Sequence, residues 1–378
     1  MARIAIDATA FDTISRGSGQ YRYMVDLVRG LCELDTRDEY FVVGSGGSAP
    51  EELESVFNGS TSFTFVSRAQ SQRRGSFFVE QMRWAYWLRR TKIELLHALH
   101  TFIPLLTAIP IVATKYDLMI ELFPEYEPGR SSQAYRWHRW SARNRVRTLI
   151  AISDATAGDL VAVWNIDRTR IAVVPLGVGI VRADGLTHEY DSARPLLVSP
   201  YNLEPRKNLA ALLKAVHVVR RAIPHVQLQL YGNAAVTIDR ERAFLGLAQA
   251  LGLDDCIVRT GILSTDELAA LYERATVFVF PSLYEGFGLP ILEAMRSGCC
   301  VVARGTSSMA EVLGDTGLLT ETADSEKLAE TILLALRDPS LRSMLGERAR
   351  ARSLHYTVNR MARETHDVYL DALRGSRR

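Results

Sequence analysis

Cysteine is scarce in this chain of 378 residues, with four in all: Cys32, Cys256 and the adjacent Cys299 and Cys300. They give neither a C-x-x-C metal pair nor the spaced set of a secreted disulfide framework, so a reducing cytoplasm is the expected setting. Long hydrophobic runs are missing too. The stretch from Ile103 to Ala113 is interrupted by Pro104 and Pro110 and is too short to cross a bilayer. No leader-like segment precedes the first strand pattern, so any membrane association is expected to be peripheral, at the inner face of the cell membrane. Charge of one sign is also lacking: 45 Lys and Arg stand against 43 Asp and Glu, a net +2, which gives a nucleic-acid partner little support. There is no internal repeat at a solenoid period, and no Asp-x-Asp metal clamp stands at a suitable strand end.

What is present is enough apolar residue, 47% of the chain, to fill two ordinary cores. Strand and helix patterns alternate twice over, which argues for two α/β units. In the first half, strands are expected at Ala2–Ala8, Tyr40–Val43, Leu95–His97, Ile111–Ala113 and Thr148–Ile152. A helix should run through Tyr23, Leu27, Val28 and Leu31. The second half restarts near Pro195, with strands at Leu196–Val198, Gln227–Tyr231, Ile257–Val258, Val277–Phe280 and Cys300–Ala303. Helices follow from about Leu209, Arg240, Asp266 and Pro290. The polar segment Arg182–Arg194 has no apolar period and reads as a linker. The expected division is 1–181 and 182–357. Ligands should bind where the loops leave the carboxyl ends of the strands.

Three loops there carry chemistry. The apolar run Thr276–Phe280 ends at Pro281, which cannot donate to a ladder, and passes through Ser282, Leu283, Tyr284, Glu285, Gly286, Phe287 and Gly288 into a helix at Leu289 and Pro290. Gly286 and Gly288 let backbone approach a ligand, and the N–H groups at the helix start favour an anion such as a diphosphate. Glu285 and Glu293 are two acceptors for sugar hydroxyls. The bland alternative is a packing turn with solvated glutamates. The second loop, Asn202 to Asn208, places Arg206 and Lys207 at a strand end, where they suit either a diphosphate or a solvated helix cap. The third, Gly17-Ser18-Gly19-Gln20-Tyr21, opens a helix after the first strand and can present N–H groups, or can be an ordinary turn.

The string from Arg259 to Glu311, with Glu285 and Glu293 in E-x7-E spacing, closely resembles the signature of retaining nucleotide-sugar glycosyltransferases of family 4 type. That family has the GT-B fold, two facing Rossmann-like domains with a cleft between them, and includes many bacterial mannosyltransferases. The resemblance implies that Glu285 faces the donor sugar and that Glu293 holds the ribose. It further implies that Lys207 and Arg206 grip the diphosphate, that Gly17 and Gly19 approach it, and that Ile262 and Leu263 lie in the segment around the base. Gly286, Phe287, Gly288 and Leu289 complete the donor loop. The last helix, about 358–378, is expected to return to the first domain. No catalytic metal and no cofactor are implied. Some members of that family place an arginine five or six residues before the lysine, where this chain has Tyr201 and Asn202.

Thr114-Lys115-Tyr116-Asp117-Leu118 resembles the family's T-x-H-D-L segment, with Tyr116 where a histidine is usual. A phenol of pKa about 10 can donate or accept a hydrogen bond but is a poor base at neutral pH, so Tyr116 and Asp117 are read either as catalytic-site residues near the reacting sugar or as pocket-shaping, with Asp117 orienting nearby loops. His97 and His100 read as structural or as substrate contacts. The expected reaction moves a hexose, with mannose from GDP-mannose as the best match, to a hydroxyl of a glycan or lipid-linked acceptor in bacterial surface polysaccharide or lipopolysaccharide assembly. Two basic and aromatic segments suggest either an anionic membrane contact or a solvated helix face over core aromatics. Arg68–Lys92 has seven Lys or Arg against the single acid Glu80, and Arg130–Arg147 has six Arg and no acid. Alternatives are a catalytically inactive GT-B scaffold and an NAD-dependent oxidoreductase, although Arg22 stands where G-x-G-x-x-G needs its third glycine.

Overall fold

The structure is a computed structural model that describes residues 1–9, 16, 18–68, 77–99, 103–124, 132–179, 193–232 and 237–375. Gly17, His100 and most of the expected linker lie outside the described residues. The chain divides into unit 1 (Met1–Glu121, Pro128–Gly177 and Thr357–Arg378) and unit 2 (Leu122–Glu127 and Val178–Tyr356).

Unit 1 contains β1 (Arg3–Asp7), α1 (Gly19–Glu33), β2 (Glu39–Gly44), α2 (Glu54–Gly59), β3 (Phe63–Ser67), α3 (Phe77–Arg90) and β4 (Leu95–Ala98). It continues with β5 (Ile111–Lys115), α4 (Met119–Leu122), α5 (Ser132–Arg145), β6 (Thr148–Ala151), α6 (Asp154–Ala162) and β7 (Ile171–Val173). Its seven strands are parallel, in the order β3-β2-β1-β4-β5-β6-β7. Alternation across the pleat sorts the side chains. Ala5, Val43 and Leu96 meet Trp84 and Leu88 of α3 on one face, whereas the neighbouring His97 is turned to the other. Edge strands β3 and β7 were not expected from the sequence. The first is half polar and the second has three residues, too little pattern to register.

In unit 2 the elements are β8 (Leu196–Pro200), α7 (Leu209–Ala222), β9 (Gln227–Tyr231), α8 (Ile238–Ala250), β10 (Ile257–Gly261), α9 (Thr265–Arg274) and β11 (Val277–Phe280). They are followed by α10 (Leu289–Arg296), β12 (Val301–Arg304), α11 (Ser307–Leu313), β13 (Leu318–Thr320), α12 (Ser325–Arg337) and α13 (Pro339–Ser353). The six parallel strands run β10-β9-β8-β11-β12-β13. Leu197, Leu228, Val277, Val279 and Val302 from the sheet pack with Leu212, Val216, Ala329 and Ile332 of α7 and α12 into one core.

The last helix, α14 (Val358–Arg374), belongs to unit 1. It lies against α1 closely enough that a Cβ at Gly30 would stand 2.8 Å from that of Ala362. Its Tyr369 hydroxyl meets His97 Nδ1 at 2.6 Å, while His97 Nε2 meets Thr114 Oγ1 at 2.8 Å. The Tyr23 hydroxyl of α1 lies 3.0 Å from the same Thr114 oxygen. His97 is fully buried, and burial pushes its pKa down to about 3. It is therefore a neutral structural histidine tying both helices to the sheet.

Candidate active site

Each sheet has one point where its strand order reverses direction, between β1 and β4 in unit 1 and between β8 and β11 in unit 2. Such switch points leave a crevice at the carboxyl ends of the strands, which is where open α/β sheets bind ligands. In unit 2 the loops that leave β8 and β11 carry the residues singled out by the sequence.

The β8 loop makes a tight turn over Pro205–Lys207 and closes on Asn208, whose left-handed φ of 55° starts α7. That turn aims two consecutive cations at the β11 loop. The Leu283 N–H donates to the Arg206 carbonyl at 2.6 Å, and Asn208 Nδ2 donates to the Pro281 carbonyl at 3.4 Å, so one backbone bond and one side-chain bond tie the two loops. Between them, Lys207 Nζ donates to Glu285 Oε1 at 2.6 Å and Arg206 Nη1 to Glu285 Oε2 at 2.9 Å. Arg206 Nε also reaches Glu204 Oε2 at 2.7 Å. The three charged side chains are only 11–16% exposed. Burial alone would raise the carboxyl pKa of Glu285, but Lys207 and Arg206 outweigh it and hold the group below the usual carboxylate range. Burial also lowers the Lys207 pKa, against the opposing pull of Glu285. The carboxylate is thus ionised and fixed, and it holds the two cations side by side at the strand ends, where an incoming anion would compete for their N–H donors.

From behind, the Glu285 carbonyl accepts hydrogen bonds from Ser307 Oγ at 2.6 Å and Ser308 Oγ at 2.8 Å, and Thr306 Oγ1 donates to the Leu283 carbonyl at 3.2 Å. No role for these hydroxyls or for Glu204 was expected from the sequence. The run Thr306-Ser307-Ser308, which follows β12 after Gly305, was the available signal. Gly288, at φ 100°, is a conformation that side chains avoid; it caps α10, whose second residue is Pro290. Gly286 has no positive φ and is half-buried. Phe287 is buried with its ring 5.9 Å from that of Tyr356, so that side chain packs in the unit and only its backbone can face a ligand. Leu289 begins α10 half-buried.

Glu293 sits apart from the ion cluster, in a chain of phenols. Its Oε2 accepts from the Tyr272 hydroxyl at 2.9 Å, and Tyr272 lies 2.6 Å from the Tyr231 hydroxyl. All three are buried, and neither tyrosine was foreseen because α9 and β9 lie far from Glu293 in sequence. Ile262 is exposed and Leu263 half-buried just beyond β10. Tyr201 donates to Glu241 Oε2 at 2.8 Å, and Arg259 pairs with the same carboxylate.

The remaining candidates belong to unit 1. Gly19 is the first residue of α1, behind the N-cap Ser18. Asp117 Oδ1 accepts the Met119 N–H at 3.1 Å and so starts α4. Tyr116 follows β5 with its ring edge-on to Tyr23, 5.4 Å between centroids. Its hydroxyl is buried with no hydrogen-bond partner among the described residues, and burial holds its pKa well above the ordinary value. Proton abstraction by Tyr116 at neutral pH is therefore disfavoured more strongly than its residue type alone implies.

Comparison with known proteins agrees with this architecture. The family model Glycosyltransferase Family 4 matches residues 17–182, and Glycosyl transferases group 1 matches residues 188–352. O-antigen chain mannosyltransferase B of Escherichia coli is 26% identical over 376 residues, which cover 93% of this chain and 96% of that protein. The serotype-specific mannosyltransferase WbdA of Escherichia coli is 30% identical over 223 residues, 56% of this chain but 27% of WbdA. Among solved structures, Anabaena HepE in complex with UDP and glucose superposes with a TM-score of 0.75 at 18% identity, covering 98% of this chain and 99% of that one. The NAD-dependent alternative has no counterpart among these matches. Two parallel α/β units, with family matches running through both, place this chain among the GT-B glycosyltransferases of family 4 type.

Proposed function

We propose that the protein transfers a hexose, with retention at the anomeric carbon and without a metal ion, from a nucleotide diphosphate sugar to a hydroxyl of a glycan or lipid-linked glycan. The observation that carries this reading is the Arg206–Lys207–Glu285 cluster at the β8/β11 switch point. In such a transfer the bond from sugar C1 to the phosphate oxygen breaks, negative charge grows on the diphosphate, and the sugar becomes cation-like. Lys207 and Arg206 stabilise the first charge and Glu285 the second. The acceptor oxygen then bonds C1 on the face that the diphosphate leaves, and its proton passes to the departing phosphate oxygen, so no protein base is required. That fits the phenol at Tyr116.

Glu293 is assigned to the ribose. Backbone at Gly17, Gly19, Gly286, Phe287, Gly288 and Leu289 is assigned to the diphosphate and sugar, and Ile262 and Leu263 to the base. Mannose from GDP-mannose is the donor we favour, because the two relatives above are named as mannosyltransferases; HepE, with UDP and glucose, supports a nucleotide sugar of some kind and not that base. The O-antigen chain named for the first relative supports a role in surface polysaccharide assembly.

The test is a thermal-shift and turnover screen of GDP-mannose, UDP-glucose and related sugars, with the free nucleotides and NAD, in the presence of chelator. One nucleotide sugar should both stabilise the protein and be turned over, with both effects reduced in Lys207→Ala. Donor binding with no hydrolysis or transfer would favour an inactive scaffold.

A further inference from the structure

Helix α3 carries an unusual outer face. Its inner side is accounted for by Trp84 and Leu88 in the core and by Gln81, whose amide bonds the backbone of Ile103 and Leu105. The opposite side sets Phe78, Met82 and Tyr86 at i, i+4 and i+8, one above the other, and they are 63%, 52% and 65% exposed. Single exposed apolar residues need no explanation, but a contiguous row does. The row is bordered by the exposed Arg83, Arg89 and Arg90. On α5, Trp137 and Trp140 stack at 5.0 Å between centroids and are 43% and 47% exposed, beside the exposed Arg136 and Arg143. These two helices contain a single acid, Glu80, and its carboxylate is taken up by Arg68 at 3.4 Å and Arg83 at 3.8 Å.

Topology puts both helices on one side of unit 1. The crossovers β3-α3-β4 and β5-α5-β6 advance across the sheet in the same direction, and right-handed crossovers of one direction lay their helices on one face. That face is opposite to α14, since α3 covers Ala5 and Leu96 whereas Tyr369 reaches His97.

We propose that the outer faces of α3 and α5 form a docking surface for an anionic lipid bilayer, with Phe78, Met82, Tyr86 and the tryptophan pair entering the interface and the arginines meeting the headgroups. Apolar and aromatic side chains fringed by arginine, with no uncompensated acid, are the chemistry of an interfacial helix. The arginines call for a negatively charged occupant, and the exposed apolar row selects a bilayer over an acidic groove of a folded partner, which would leave that row facing polar surface. This surface uses none of the donor-cluster residues, and it rests on the proposed function and extends it by locating the membrane contact.

The experiment is co-sedimentation of the full chain with vesicles of phosphatidylcholine alone or mixed with phosphatidylglycerol, at low and high salt. Binding is expected only to the mixed vesicles, weakened by salt. Each arginine contributes about a fivefold change, so Arg83→Gln/Arg89→Gln/Arg90→Gln should weaken binding by roughly a hundredfold, and Phe78→Ser/Met82→Ser/Tyr86→Ser should abolish it, both without lowering the melting temperature. The proposal is overturned if wild type binds neither vesicle, if it binds both equally, or if the serine variant breaks up a self-association of the chain, which would make a second copy the occupant. Turnover of nucleotide sugar in vesicle-free buffer reads the transferase assignment independently.

Discussion

Replacing Glu285 with glutamine removes a charge and almost no volume, and the two cations it holds react differently. Arg206 keeps Glu204 at 2.7 Å, whereas Lys207, only 14% exposed, is stranded. Breaking a buried ion pair from one side costs about 3–5 kcal/mol, and the surviving partner of Arg206 argues for the low end. A loss of about 3 kcal/mol in a unit of this size lowers the melting temperature by about 6–12 °C. Adding Lys207→Met removes the stranded charge, so the double variant should melt above Glu285→Gln. The sign of the pH effect follows from the depressed Glu285 pKa: its stabilisation is present above the ordinary carboxylate range and lost in acid, so wild type and Glu285→Gln should converge as pH falls. The same substitution removes the carboxylate that competes with a diphosphate for Lys207. We expect Glu285→Gln to bind the free nucleoside diphosphate roughly tenfold more tightly, about 1.4 kcal/mol, while losing transfer activity. Calorimetric melting and titration with the nucleotide read both quantities. An unchanged melting temperature together with unchanged or weaker nucleotide binding would refute the clamp.

Further outcomes follow from other sites. Tyr272→Phe takes one donor from the buried Glu293 carboxylate and should cost about 1–3 kcal/mol; steady-state kinetics should show a raised donor KM with kcat little changed. Gly288→Ala meets only ordinary contact with Ile291 at 3.5 Å, but its φ of 100° should cost about 1–2 kcal/mol and lower donor affinity, measured by melting and titration. His97, with a native pKa of about 3 against about 6.5 unfolded, binds its proton first in the unfolded chain. Stability should therefore fall as pH drops below that value, by about 2 kcal/mol at pH 5, a slope absent from His97→Gln in denaturant titrations. Transfer activity should survive exhaustive chelation; loss that is restored by a divalent cation would overturn metal independence.

The two parallel sheets were legible because buried parallel strands are nearly continuous apolar runs. Val277–Phe280 is wholly buried and reads so from its letters alone. The loops of β8 and β11 were legible for a different reason: Pro281, Gly288, Pro205 and Asn208 each require a special backbone geometry, and such residues mark turns locally. What escaped depended on long-range packing. Tyr231 and Tyr272 become functional candidates only when β9 and α9 bring them to Glu293, and the joint role of Ser307 and Ser308 requires β12 to lie beside β11. In the basic segments, Trp84 does lie in the core as one reading held, but Tyr86 and Trp140 do not. Helical periodicity cannot distinguish these when aromatics occupy both faces.

The return of α14 to the first unit has a consequence for the order of synthesis. Val178–Tyr356 is one uninterrupted stretch and carries every strand of its own sheet, so the second unit can assemble its sheet and its Lys207–Glu285 clamp while the ribosome is still adding residues. The first unit, although translated earlier, must wait with His97, Thr114 and Tyr23 lacking Tyr369 until the helix from Val358 to Arg374 emerges. Chains truncated after Tyr356 and released from the ribosome should therefore show protease resistance in the later-made unit and not in the earlier-made one, an inversion of the usual vectorial sequence.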